Sequence, residues 1–189
     1  MKRGYSGVTL AFISISIAVN IILGTVTQML KLPLIFLDTI GTIFSAVLLG
    51  PLAGAIVGGF TNVILGSITD YKDHIPFAIV NIAIGLIVGF IAKKYKFNLL
   101  VAITTGCILS IITPIMGTII SIIFFEGLTG KLDNIIFMWL IKSGKSIFTA
   151  NFIPRITGDI IDKTASCIIV SLLYNLLPKS LTERSSVNA

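Results

Sequence analysis

Arg155, Asp159, Asp162, Lys163 and Ser166 stand at i, i+4, i+7, i+8 and i+11, which on a helix is one stripe. A guanidinium, an ammonium and two carboxylates on one stripe allow two kinds of chemistry. They can pair among themselves, Arg155 with Asp159 and Asp159 with Lys163, as i,i+4 ion pairs that make a helix end soluble. Alternatively they form the polar wall of a buried ligand site, the arginine clamping two acceptors and the carboxylates taking up donors. The stretch runs on into Cys167-Ile-Ile-Val-Ser-Leu-Leu-Tyr174, which reads as membrane-spanning. A charge at the bilayer centre costs roughly 2.5–3.5 kcal/mol on insertion scales, so the stripe must face protein or water.

Four further polar residues interrupt apolar stretches and are candidates for the same site: Asp38, Asn62, Asn81 and Asn151. Asparagine offers both a donor and an acceptor, whereas an ionised aspartate only accepts. Trp139, with Tyr71, could stack on a flat heterocycle; the alternative for both is the aromatic belt at a membrane surface.

The elements that must position these residues are membrane helices. The chain of 189 residues is 55% hydrophobic and 12% charged with a mean hydropathy of +1.03, outside the range of soluble domains. Apolar runs and their breakers predict a single all-α domain of six transmembrane helices, at about 7–29, 35–49, 52–69, 76–92, 98–125 and 152–177. Pro114 is expected to kink the fifth. The connection 126–151 contains an amphipathic piece around Trp139 that could lie over the membrane face as a lid. The first run is too long for a cleaved signal and is read as a retained span.

Lysine and arginine set the orientation. With both termini cytoplasmic, Lys2, Arg3, Lys93, Lys94, Lys96, Lys179 and Arg184 fall inside, against Lys31 and Lys72 in the short outer loops and Lys131, Lys142 and Lys145 in the long outer connection, which counts for less. On that topology Asp38, Asn62, Asn81 and the start of the charged stripe occupy the same outer half of four helices. An outward-facing pocket for a small molecule follows, apolar with a few placed polar groups.

Other chemistries find no support. The net charge of +6 comes from residues scattered at segment ends, so nucleic acid is not an expected partner. Ser143-Gly144-Lys145-Ser146 resembles the end of a phosphate-binding loop, but the required earlier glycine is Trp139. Cys107 and Cys167 lie in apolar runs as free thiols, and His74 stands alone in a polar loop, so no metal site is expected. The chain is expected to be neither an enzyme nor a cofactor-bearing protein. A sensor or scaffold module and a self-sufficient secondary carrier remain as alternatives to a binding subunit.

Leu37-Asp-Thr-Ile-Gly-Thr42, the phrase Leu48-Leu-Gly-Pro-Leu-Ala-Gly-Ala-Ile-Val-Gly58 with Thr61-Asn62 after it, and Gly158-Asp-Ile-Ile-Asp-Lys-Thr-Ala-Ser166 resemble the S components of energy-coupling factor (ECF) transporters. The resemblance spans nearly the whole chain. It implies a subunit in a prokaryotic plasma membrane that binds one vitamin-like heterocycle near the outer face and joins a transmembrane coupling subunit and two ATPases. In that family the first helix docks through an Ala-x-x-x-Ala pattern; here Ala11 is followed by Ile15, and the nearest equivalent is Ser14 with Ala18.

Overall fold

A computed structural model describes residues 7–30, 36–68, 74–127 and 133–177, and among them every regular element is a helix. In chain order these are α1 (Gly7–Met29), α2 (Ile40–Leu49), α3 (Pro51–Ile68), α4 (His74–Lys94), α5 (Leu99–Phe125), α6 (Asp133–Lys142) and α7 (Ile147–Leu176). Four of them, α1, α3, α4 and α5, are long and apolar enough to cross a membrane. At 30 residues α7 is longer than any of these, about 45 Å, but it carries the charged stripe.

Local chemistry sets the helix ends. Pro51 opens α3, where its missing N–H is one the helix would leave unpaired anyway, and Gly50 turns the chain at φ 93°. Asn98 caps α5 by accepting the Val101 N–H at 3.0 Å, and Ser146 caps α7 by accepting that of Thr149 at 3.2 Å. Glu126 and Gly127, both at positive φ, stop α5, with the Gly127 N–H returning to the Ser121 carbonyl.

In three places the described helices differ from the approximate spans expected from the sequence. The connection 126–151 holds a helix of its own, because Phe137 and Leu140 of α6 bury against Ala150 of α7; the described residues therefore form seven helices. For the same reason the last long helix starts at Ile147, not 152. The second starts at Ile40, not 35, because Leu37 takes a left-handed φ of 51° and Asp38–Thr39 form a turn. Pro114 and Pro154 both lie inside continuous helices.

The closest pairings are α3 with α4 and α5 with α7. The first is built on small residues: a Cβ at Gly85 would run into the Gly54 and Ala55 backbone, one at Gly58 into Asn81, and one at Gly89 into Pro51. Such approach matters in lipid, where apolar burial drives no association and packing and hydrogen bonds take over. Helices α1 and α2 pack on the α3–α4 pair and α6 on α7. The two groups meet where α2 touches α7 and α4 touches α5, around Ile43, Ile84, Leu109 and Val170.

A fully buried asparagine ties α1 in. Asn20 donates to Thr42 Oγ1 at 2.9 Å and Thr61 Oγ1 at 3.1 Å, and its Oδ1 accepts the Gly41 N–H at 2.6 Å. One side chain thus joins three helices with its hydrogen-bonding groups satisfied, as a polar group away from water requires.

Candidate binding cavity

Where the two helix groups meet, the packing leaves a cavity of about 100 Å³. Three walls surround it. The first is the end of the α1–α2 connection with Phe36, Asp38 and Thr39. Thr27 of α1 donates to the Phe36 carbonyl at 2.8 Å, and α1 passes directly behind Asp38, whose Cβ would touch a Cβ at Gly24.

This wall is fixed from the far side by Asp162. Its Oδ1 accepts the N–H groups of Phe36 and Leu37, each at 2.9 Å, while its Oδ2 accepts from Lys163 Nζ at 2.6 Å. Both residues of this ion pair are buried. Lys163 also lines the cavity, within electrostatic reach of Asp38 and Asp159.

The second wall comes from α3 and α4. Asn81 Nδ2 donates to Asn62 Oδ1 at 2.8 Å, and Asn62 Nδ2 donates to the His74 carbonyl at 3.1 Å. His74 opens α4 and its ring lies 3.2 Å from Gln28 Nε2 of α1. The sequence reading left His74 in an exposed polar loop; the structure buries it and puts it on the cavity wall. Pro76 is compatible with a first helical turn, so α4 can begin at His74, and the contacts with Gln28 and Asn62 hold that residue inward.

Helices α5 and α7 supply the third wall. Asp159 Oδ2 accepts from Thr113 Oγ1 at 2.5 Å, and its main-chain carbonyl accepts from Ser110 Oγ at 2.9 Å. The Arg155 guanidinium lies 5.1 Å from the centre of the Phe77 ring, in cation–π range, and its Nε donates to Asn151 Oδ1 at 2.7 Å. Asn151 is held in turn by donating to Ser121 Oγ and to the Gly127 carbonyl.

The cavity therefore gathers Asp38, Asn62, Asn81, Arg155, Asp159 and Lys163 from the sequence-derived candidates. It leaves three outside its lining. Asp162 faces the α1–α2 connection, Asn151 stands behind Arg155, and Trp139 is exposed on α6. Tyr71 lies outside the described residues. Sequence reasoning missed Phe36, Thr39, Phe77 and Thr113; Thr39 sits beside Asp38 in a singled-out motif, whereas the two phenylalanines look like any other apolar residue.

Two polar atoms of this lining stand out. Thr39 Oγ1 and Asn81 Oδ1 belong to buried residues, are themselves closed off by neighbouring atoms and have no hydrogen-bond partner among the described residues. On α1, Ser14 and Ala18 are exposed on the face opposite the buried stripe of Ser16, Asn20, Gly24 and Thr27.

Neither a curated protein nor a solved structure gives a significant match to the chain. The family described as the ECF-type riboflavin transporter, S component, matches residues 5–179. That match takes in all seven helices and every residue of the cavity, and the chain belongs to this family of ECF transporter S components.

Proposed function

We propose that the chain is the riboflavin-binding membrane subunit of an ATP-driven importer and that the cavity between the two helix groups holds the vitamin. The observation that carries this reading is the lining of the cavity, in which Asp38, Asn62, Arg155, Asp159 and Lys163 stand among apolar and aromatic side chains. Polar side chains in such a setting favour a ligand that brings matching donors and acceptors. A flavin has such groups: ring carbonyls, a ring N–H and a chain of hydroxyls. Phe36 and Phe77 with Val80, Ile84 and Pro114 give its flat ring an apolar bed, and Arg155, Asp159 and Lys163 give its polar edge partners.

In the membrane the cavity opens outward and both termini lie in the cytoplasm. Lys93 and Lys94 in the last turn of α4 and Lys96 just past it support this orientation, because they lie at the end away from His74 and basic residues at span ends favour the cytoplasm. On this reading α2 and α7 complete six membrane-crossing elements. A transmembrane coupling subunit and two ATPases drive release, and the exposed Ser14 and Ala18 of α1 offer a small-residue face on which the coupling subunit packs closely.

Titration of the detergent-purified chain with riboflavin, followed by flavin fluorescence, tests the core of the proposal. Binding is expected at micromolar Kd or tighter, about 8 kcal/mol or more. A cooperatively melting preparation that leaves flavin fluorescence unchanged overturns it. Liposomes separate the transport roles: uptake is expected only with the coupling subunit, ATPases and ATP, and uptake by the chain alone identifies a secondary carrier.

A further inference from the structure

Helix α6 has two faces, and among the described residues only one of them is covered by protein. Phe137 and Leu140, with Ile141 partly buried beside them, point toward α7, the one helix with which α6 makes substantial contact. On the other side Ile135, Met138, Trp139 and Lys142 follow at i, i+3, i+4 and i+7. Ile135 is 70% exposed and Trp139 67%. A ten-residue helix that exposes isoleucine, methionine and tryptophan in one stripe has an apolar surface that water does not favour.

The surroundings identify what covers it. Ile147 and Phe148 at the start of α7, and Ile123 and Phe124 at the end of α5, are exposed as well. Helices α5 and α7 pack together, and these residues stand at the ends joined by the connection that contains α6. The exposed face of α6 thus continues the lipid-facing belt of the bundle at one membrane surface. Lys142 and Lys145, exposed at the end of α6 and just after it, are placed where a snorkelling ammonium meets lipid phosphates.

We infer that α6 is an interfacial helix: its Ile135–Met138–Trp139 stripe is immersed in the headgroup and upper acyl region of the bilayer, and it anchors the 126–151 connection to the membrane. In that position α6 floats beside α7 and does not close the cavity as a lid. Among the residues of α6 whose side chains are described, none lines the cavity. The inference rests on the membrane setting of the chain and is independent of the ligand.

Trp139 is the only tryptophan in the sequence, so its emission reports on α6 alone. The test uses the full chain in ligand-free liposomes made with phospholipids brominated either near the headgroup end of the acyl chain or near the bilayer centre, with iodide as the aqueous quencher. An apolar face seated about 5–10 Å deep predicts roughly two-fold or greater loss of emission with shallow bromines, a smaller loss with deep ones and little effect of iodide. Strong iodide quenching, indifference to both brominated lipids, or stronger quenching by the deep bromines each overturns the inference. They would place Trp139 in water, against protein, or in the membrane interior.

Discussion

The Asp162 carboxylate accepts the N–H of Leu37 at 2.9 Å across 125 positions of sequence, and the same oxygen accepts that of Phe36. Leu37 is one of the two non-glycine residues at positive φ among those described, so a strained turn is held by a buried charge. The arrangement separates two carboxylates on one helix. Asp162 holds the wall that presents Asp38 and Thr39, whereas Asp159, one turn earlier, faces the cavity.

Removing the Asp162 carboxylate is therefore a folding lesion first. Asp162→Ala leaves Lys163 buried without its ion-pair partner and releases two backbone N–H groups. Breaking a buried pair on one side costs about 3–5 kcal/mol. Thermal melting in detergent should show a markedly lower Tm and a smaller folded yield. A variant that melts with the wild type would show that the connection is held by something other than this carboxylate.

Asp159→Asn should behave in the opposite way. The amide keeps the shape of the side chain, and its oxygen can still accept from Thr113, so the fold should persist. A hydrogen bond to a charged group contributes about 1.5–3 kcal/mol, so its loss should weaken riboflavin binding by roughly ten- to a hundred-fold in Kd. Flavin titration beside a melting curve measures both quantities. Unchanged affinity with unchanged Tm would remove Asp159 from the ligand contacts.

These two variants mark how far the sequence could be read. The stripe from Arg155 to Ser166 was legible because helical period and the cost of charge in lipid both constrain it. Its internal pairing was not. Spacing suggested i,i+4 bonds, and Arg155 Nε does donate four residues back, but to Asn151; Lys163 pairs with its immediate neighbour Asp162, and Thr113 of α5 bonds Asp159. The Thr113 bond depends on which helix lies opposite, which period does not encode. Asn20 makes the same point: it reads as a polar exception in α1, but its partners lie 22 and 41 positions away. The α6 period was visible around Trp139, whereas the face that packs on α7 is decided by Ala150, a residue without any pattern of its own.

The glycines of α3 and α4 show the reverse case, a weak signal that the structure makes specific. Gly54 and Gly58 are spaced for a close helix contact, as are Gly85 and Gly89, and the fold sets Gly54 against Gly85, Gly58 against Asn81 and Gly89 against Pro51. The same helix pair carries the Asn81–Asn62 bond of 2.8 Å on the cavity wall. Gly85→Val should thus push α3 and α4 apart, costing about 1–3 kcal/mol as overpacking does, and should misplace that wall. Both Tm and riboflavin affinity are expected to fall together. Gly7→Ala, where an added Cβ meets nothing within 4 Å, serves as the control and should change neither. If Gly85→Val melted and bound like the wild type, the helices would not need this contact to build the cavity, and the orientation of Asn62 and Asn81 would have to come from their own hydrogen bonds.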